Sequence, residues 1–424
     1  MQEIFEILKK DNHWYGNPQK RVGFRRDFYL KKIEATMGNK LIKVLVGQRR
    51  AGKSFLLRQI IEKLLKGGTK GKNIFYLNKE LVDYDEIRNY KDLNKLIKIY
   101  LEKIKPKGKV YYFLDEVQEI DGWQKIVNSL AQDHRQSNEV FISGSNSKML
   151  SGELATYLTG RYISFEIFPF SYSEYLKYFK LENSKKNLIN FIQNTGLPEI
   201  LSVEDEEFKR NYLQSLKDAI LLKDIAGRYQ IRQVKMLEKI MDYISDNIGN
   251  IFSVDKVSNF LRTKKYKVSN NTISSYLKYL SETFLIYEVS RYDLKGKDIL
   301  DSGKKYYLND LAFRNFIFSK FDAGLGKHLE NIVFLNLRRN GWRVNVGKFD
   351  NLEIDFVAEK AGEVKYIQVA YSLADKKVAE REFGNLEKIK DSYEKVVLSL
   401  DDISFGDKNG IKHWEIWKWL VEER

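Results

Sequence analysis

The sequence predicts an α/β protein whose first part is a parallel sheet, followed by helices and then by a second mixed α/β region. Three observations predict it. Apolar runs of strand length alternate with helically spaced segments before Arg161. A glycine-rich loop, Gly47 to Ser54, joins the first of these runs to the first long helix. After Arg161 the alternation gives way to helices, and strand-length runs become frequent again only in the last quarter of the chain.

The N-terminal stretch 1–35 holds aromatics and arginines (Trp14, Tyr15, Arg21, Arg25, Arg26, Phe28, Tyr29) and reads as a helical lead-in. Leu41–Val46 is an apolar run ended by Gly47 and suits a buried parallel strand. Ser54–Lys66 carries Leu56, Leu57, Ile60, Ile61 and Leu64 on one side, and Gly67-Gly68 stops that helix. Asn73–Asn78 is the second strand, Leu93–Ile104 a helix with Asp92 as its cap, and Lys109–Asp115 the third strand. Trp123–Gln132 is helical and Glu139–Ser145 is the fourth strand. This alternation argues for a parallel sheet with helices on both faces. Residues 165–240 read as helices broken at Phe168-Pro169-Phe170 and Gly196-Leu197-Pro198. Helix Ser253–Arg262, a turn, a helix from Asn270 or Asn271 to Glu282 with Asn as its cap, and strands Phe284–Arg291 and Lys304–Leu308 follow the order of a winged helix-turn-helix. The last part reads as helix Leu329–Arg339, strands Arg343–Val346, Leu352–Ala358, Val364–Val369 and Lys395–Leu400, further helices and a Trp-rich end.

At 424 residues the chain has room for two or three cores. With 43% hydrophobic and 31% charged residues, and only 4 prolines, it reads as globular without a long disordered linker. It has 0 cysteines, which excludes disulfides, thiolate metal sites and Cys nucleophiles and fits a reducing cytoplasm. His13, His134, His328 and His413 are scattered, against a histidine metal site or triad. No signal peptide is expected from Met1–Phe5, and no membrane span from apolar runs of strand length. The net charge of +15 has two readings, a nucleic-acid partner or an even spread of lysine.

Gly47-Gln48-Arg49-Arg50-Ala51-Gly52-Lys53-Ser54 fits the full phosphate-loop pattern, in the strand–loop–helix context that the pattern needs. Its glycines let the backbone wrap phosphate oxygens, and the helix N-terminus adds positive potential. Lys53 is expected on the β- and γ-phosphates and Ser54 on Mg²⁺. Asp115-Glu116 ends an apolar strand, as a Walker B pair does. Asp115 is the expected Mg²⁺ ligand, directly or through water, and Glu116 the base that orients the attacking water. At the next strand's tip, Ser145 or Asn146 would touch the γ-phosphate or that water; the alternative is a cap before Lys148-Met149-Leu150. Arg161 would stabilise phosphoryl-transfer charge, in cis or from a neighbouring copy in a homo-oligomer, or is a surface salt-bridge residue. ATP and Mg²⁺ are the expected cofactors.

These pieces together resemble a known family, the prokaryotic AAA+-type ATPases with a C-terminal domain of unknown function. The likeness lies in Val46–Ser54, Phe113–Gln118, Ile142–Asn146, Leu158–Arg161 before Phe168–Ser171, Gly196–Glu199, Glu330-Asn331 and Ile354–Val357. The resemblance implies an ATPase core, a winged-helix module and a C-terminal domain similar to restriction-endonuclease folds. It strengthens the functional reading of Arg161. The expected class is thus a P-loop NTPase parallel sheet with a helical lid, a winged helix and an α/β endonuclease-like domain. The expected boundaries are 1–165 for the core with its lead-in, 166–240 for the helical lid or linker, 241–312 for the winged helix and 313–424 for the endonuclease-like domain.

In endonuclease-like folds two acids and a Glu/Gln-x-Lys strand form a metal site, and Glu330, Asp355 and Gln368 carry over onto it. Ala370 stands where the lysine is expected, and Lys365 projects from the opposite strand face, so cleavage is not expected. Without the resemblance, Glu330 and Asp355 read equally as a cap and a turn. Arg262, Lys264, Lys265, Lys267, Asn270, Asn271 and Lys278 suit phosphate and groove contacts, or are solvated lysines of a protein-contact module. The expected activity is ATP hydrolysis coupled to DNA binding or remodelling. The alternative is a nucleotide-dependent conformational switch in signalling or defence that acts on protein partners.

Overall fold

The computed structural model describes residues 1–16, 21–133, 136–147, 158, 160–194, 196–318, 324–403 and 405–422. The chain divides into two compact units, Met1–Ile167 and Phe168–Arg424.

The first unit is a five-stranded parallel sheet of β1 (Ile42–Val46), β2 (Ile74–Asn78), β3 (Val110–Asp115), β4 (Asn138–Gly144) and β5 (Tyr162–Glu166), in the order β2-β3-β4-β1-β5. The central strands are apolar on both sides because both faces are covered. Helix α1 (Gln2–Asp11) and helix α2 (Asp27–Glu34) form the lead-in, and α3 (Lys53–Lys66) follows the glycine loop. On one face, Tyr29, Leu30 and Ile33 of α2 and Leu56, Leu57, Ile60 and Ile61 of α3 pack on Leu45, Ile74, Tyr76, Phe113 and Phe141. Each such buried side chain contributes about 1.5–3 kcal/mol. On the other face Trp14 stacks on Phe5 and on Tyr100 of α4 (Tyr90–Ile104), and Phe75 meets Trp14, Tyr100 and Tyr112. Alternation along β2 thus sends Ile74 and Tyr76 to one layer and Phe75 to the other. Helix α5 spans Trp123–Gln132, as the periodicity predicts.

Two details differ from the sequence reading. Helix α4 starts before Asp92: Asn89 is its cap, accepting from Lys91 and Asp92, and Asp92 bonds back to the Asn89 amide in a capping box. The sheet also gains β5, which pairs with β1 from Ile42↔Tyr162 to Val46↔Glu166. This edge strand buries only Phe165, too weak a local pattern to separate from the helices after it.

The second unit begins with helices Tyr172–Phe179, Lys185–Gln193 and Glu206–Ala219, a π-helical stretch Ile220–Gly227, and helix Val234–Asp246. Helix Val254–Thr263, a turn and helix Asn270–Glu282 follow. Ser269 caps that second helix through the Thr272 amide, in place of Asn270 or Asn271. Strands β6 (Ile286–Asp293) and β7 (Asp298–Leu308) form an antiparallel hairpin. Strand β7 runs longer than expected and β6 starts and ends two residues later, which has a structural consequence. Arg291–Asp293 at the end of β6 pair in parallel with Val346–Lys348 of β8 (Arg343–Phe349). The hairpin is therefore the edge of a seven-stranded sheet, β12-β11-β10-β9-β8-β6-β7. Its other strands are β9 (Leu352–Lys360), β10 (Glu363–Val369), β11 (Glu394–Ser399) and β12 (Ile411–Glu415). Helix Leu325–Arg339 packs its buried Leu329, Val333 and Phe334 on this sheet, and helix Lys376–Glu387 adds Phe383 and Leu386 to the core with Ile354, Val357, Tyr366 and Val397. The Trp-rich end becomes β12 and helix Ile416–Glu422. Among the described residues no helix is long and apolar enough to cross a membrane.

Candidate functional site

The glycine loop leaves the carboxyl end of β1, where ligands of open parallel sheets bind. Gly47 has φ +149°, and a Cβ there would lie 2.1 Å from the Ile167 carbonyl oxygen, so no larger residue fits. Gly52 sits at φ +95° immediately before α3 and has no side chain to cap the helix, which leaves the first-turn amides as donors. The Gln48 side chain is fully buried, and neither its oxygen nor its nitrogen has a hydrogen-bond partner. A buried amide of this kind is costly unless a ligand or water completes it. The loop is braced from the lead-in: Arg26 donates to the Ala51 carbonyl at 3.0 Å, and Gln59 of α3 donates to the Val22 and Phe24 carbonyls. Arg49 pairs with Glu80 at 2.9 Å, and Arg50 is exposed.

Lys53 is 4% exposed and donates to the Gly47 and Gln48 carbonyls at 3.0 and 3.1 Å. Its ammonium lies 3.7 Å from Glu116 Oε1. Asp115 is buried at the end of β3; it accepts from Tyr76 Oη at 3.1 Å, from the Ser143 hydroxyl and from the Ser54 hydroxyl. Burial, and then the neighbouring Glu116 charge, push the Asp115 carboxyl above its ordinary value. Burial pushes Glu116 up as well, but the Lys53 ammonium, the Gln118 amide, Arg49 and Ser145 together pull it below its ordinary value. The surroundings therefore favour the charged form of Glu116 more than that of Asp115. Its backbone is left-handed, at φ +52°, and is held by its amide donating to Ser143 Oγ at 3.1 Å.

Loop and acidic pair thus meet in one cluster. The loop too tight for a Cβ, the unpartnered Gln48 amide and the Ser54–Asp115 contact fit a magnesium–nucleoside triphosphate. Ser143, which sequence reasoning treated only as a strand residue, joins both acids. Its signal is the register: Leu114 pairs with Ile142, so the next residues along, Asp115 and Ser143, come together. Ser145 bonds Glu116, and Asn146 is buried beside it. The alternative cap residues 148–150 lie outside the described residues.

Arg161 does not join the cluster. It is exposed and its carbonyl accepts from the Ile42 amide, at the amino end of β1. Five residues of strand, roughly 16 Å, separate that end from Gly47. Of the places left open for Arg161, in cis or from a neighbouring copy, this register puts the residue at the end of the sheet opposite its own loop.

In the second unit Glu330, Asp355 and Gln368 are brought together. Gln368 Oε1 accepts from the Asp355 amide at 2.7 Å and its Nε2 donates to Glu382 at 2.8 Å. Both ends of the amide are thereby engaged within the protein. Ala370 lies in the apolar core, and Lys365 pairs with Glu394 at 3.2 Å. The sequence reading missed Lys305 of β7, whose ammonium lies 2.8 Å from Glu330, 2.8 Å from Glu353 and 3.8 Å from Asp355. Burial, then the Glu330 charge, raise the Asp355 carboxyl to about 7. Among the described residues no group of three or more His, Asp or Glu is arranged to hold a metal ion.

Comparison with known proteins bears on both units. An AAA domain family matches residues 39–176, and a domain of unknown function (DUF8612) matches residues 185–324. An uncharacterized protein of Haemophilus influenzae is 36% identical over 403 residues, covering 94% of this chain and 98% of its own length. An uncharacterized protein of Methanocaldococcus jannaschii is 35% identical over 420 residues, covering 95% and 88%. Among solved structures, Cdc6p of Pyrobaculum aerophilum aligns at 13% identity and TM-score 0.32, over 72% of this chain and 96% of that one. The ORC2 protein of Aeropyrum pernix with ADPNP and ADP aligns at 11% identity and TM-score 0.41, over 70% and 92%. Scores this low do not establish a shared overall fold. The two relatives, each matched over more than nine tenths of this chain, do establish a family: the chain belongs with these two proteins, and its residues 39–176 match the AAA domain.

Proposed function

We propose that this chain binds ATP with Mg²⁺ at the Gly47–Ser54 loop, hydrolyses it, and couples that cycle to DNA binding or remodelling through the second unit. The observation that carries the ATP reading is the joint placement of Lys53, Ser54, Asp115 and Glu116 at one strand edge. Lys53 is held by neutral carbonyls that it can exchange for phosphate oxygens. Ser54 and Asp115 would hold Mg²⁺, which neutralises phosphate charge when bound. Glu116, kept ionised by Lys53, orients the attacking water and takes its proton. Ser143 positions both acids, and Asn146 at the tip of β4 contacts the water or the terminal phosphate. Arg161, too far to act within its own copy, acts from a neighbouring one in a homo-oligomer.

The DNA reading is supported by exposed Arg262 at the end of the first helix, exposed Lys264, Lys265 and Lys267 in the turn, exposed Asn270, Asn271 and Lys278 on the second helix, and exposed Lys297 at the hairpin tip. We read residues 166–240 as the lid or linker, 241–312 as a winged-helix module, and 313–424 as an endonuclease-like fold with a non-cleaving relic of its site at Glu330, Asp355 and Gln368. ATPase rates of wild type and Glu116→Gln, with and without duplex DNA over a salt series, test the proposal. Glu116→Gln should bind ATP and turn over about 10²- to 10⁴-fold more slowly. Wild-type turnover by Glu116→Gln would refute the base assignment. Absence of both DNA stimulation and salt-sensitive DNA binding would refute the DNA coupling and leave the switch acting on protein partners.

A further inference from the structure

We infer that Lys305 is the resident cation of the Glu330–Glu353–Asp355 cluster, seated where a divalent ion would have to sit, so that the wild-type cluster takes up no metal. Lys305 is 1% exposed. Its ammonium bonds Glu330 Oε1 and Glu353 Oε1, each at 2.8 Å, with Asp355 Oδ1 at 3.8 Å. The oxygens around it are engaged elsewhere too. Glu330 Oε1 also accepts from Tyr307 at 2.6 Å and its Oε2 from Lys327 at 2.7 Å, while Asp355 Oδ2 accepts from the Val369 amide at 2.9 Å. Magnesium needs about six oxygens in near-octahedral array at about 2.1 Å. To supply them the cluster would have to expel a lysine that has no solvent to move into, leaving it buried and unpaired. Nor is this lysine free to activate a water, because two carboxylates already hold it.

The placement follows from topology. Lys305 comes from the hairpin, Glu330 from helix Leu325–Arg339, and Glu353 and Asp355 from β9; the β6–β8 pairing puts the hairpin and β9 in one sheet, on which that helix packs. Lys305 therefore also fastens the hairpin to the helix that crosses the sheet. None of this depends on the nucleotide reading.

The test is Mn²⁺ binding and Mn²⁺-dependent thermal stability of the full, nucleotide-free chain, as wild type, Lys305→Met and Lys305→Met/Asp355→Asn. An Asp115→Asn/Glu116→Gln background in all three removes the contribution of the acidic pair beside the phosphate loop. The wild-type cluster should bind no Mn²⁺ at millimolar concentration. Lys305→Met should bind at least tenfold more tightly and gain thermal stability in Mn²⁺, and the double variant should lose both gains. If Lys305→Met unfolds in chelator, Mn²⁺ should restore its fold, since the metal refills the place of the ammonium; failure to restore it overturns the inference. So does Mn²⁺ binding by the wild-type cluster that Asp355→Asn removes, or a folded Lys305→Met that gains no binding. Mn²⁺-dependent DNA cleavage by wild type that Lys305→Met abolishes would also overturn it, making Lys305 a catalytic lysine instead.

Discussion

Each unit of this protein gathers a lysine and carboxylates on its sheet, and the two gatherings use the same groups to opposite ends. In the AAA unit Lys53 rests on the carbonyls of its own loop, 3.7 Å from the nearest acid. Those bonds are neutral and local, and phosphate oxygens can replace them at little cost. In the second unit Lys305 has two carboxylates at 2.8 Å, and Glu330, the more buried of them, has a tyrosine and a second lysine besides. Its charge is already compensated by the protein. The difference teaches that residue type does not separate a ligand site from an internal ion pair; the separation lies in whether the lysine's partners are exchangeable.

The comparison breaks first at the two lysines. Lys53→Ala should lower ATP turnover at least about 100-fold, as loss of a positioned donor to phosphate does, while shifting the urea midpoint little. A normal ATPase rate in Lys53→Ala would remove the basis of the contrast. Lys305→Ala should do the reverse on stability, costing about 3–5 kcal/mol because it leaves buried carboxylates uncompensated; equilibrium unfolding reads this directly. A smaller effect is expected at Ser143. Ser143→Ala removes a bond to a buried carboxylate and should cost about 1–3 kcal/mol, with slower turnover because Glu116 loses its anchor. Unchanged kinetics with reduced stability would make Ser143 purely structural. The smallest effect per residue is expected on the second unit's surface. Replacing Lys264, Lys265 and Lys267 with alanine should reduce the salt slope of DNA binding by about 3 and leave sequence preference unchanged, measured by fluorescence anisotropy across a salt series.

Legibility in the sequence followed the range of the interactions. The loop Gly47–Ser54 and the pair Asp115-Glu116 were readable because each is made within one strand and the residues next to it. The same holds for β1 to β4 and their helices, whose apolar spacing is local. The edge strand β5 was not readable, since its partner β1 lies 120 residues earlier in register, Ile42↔Tyr162. The place of Arg161 was not readable for the same reason: its neighbours in sequence say nothing about which end of the sheet it occupies. Ser143 looked like any strand residue until the β3–β4 register set it against Asp115.

By itself the sequence determined that a phosphate loop follows a buried strand and that an acidic pair ends another. Those are properties of contiguous residues, written in spacing and residue type. Only the tertiary structure decided that Lys53 lies beside Glu116 and that Ser143 joins the pair. It alone showed that Lys305, carried in by a hairpin that continues into a seven-stranded sheet, sits among Glu330, Glu353 and Asp355. Burial and charge pairing are set by groups far apart in the chain, so these outcomes exist only once strand register has brought the groups together.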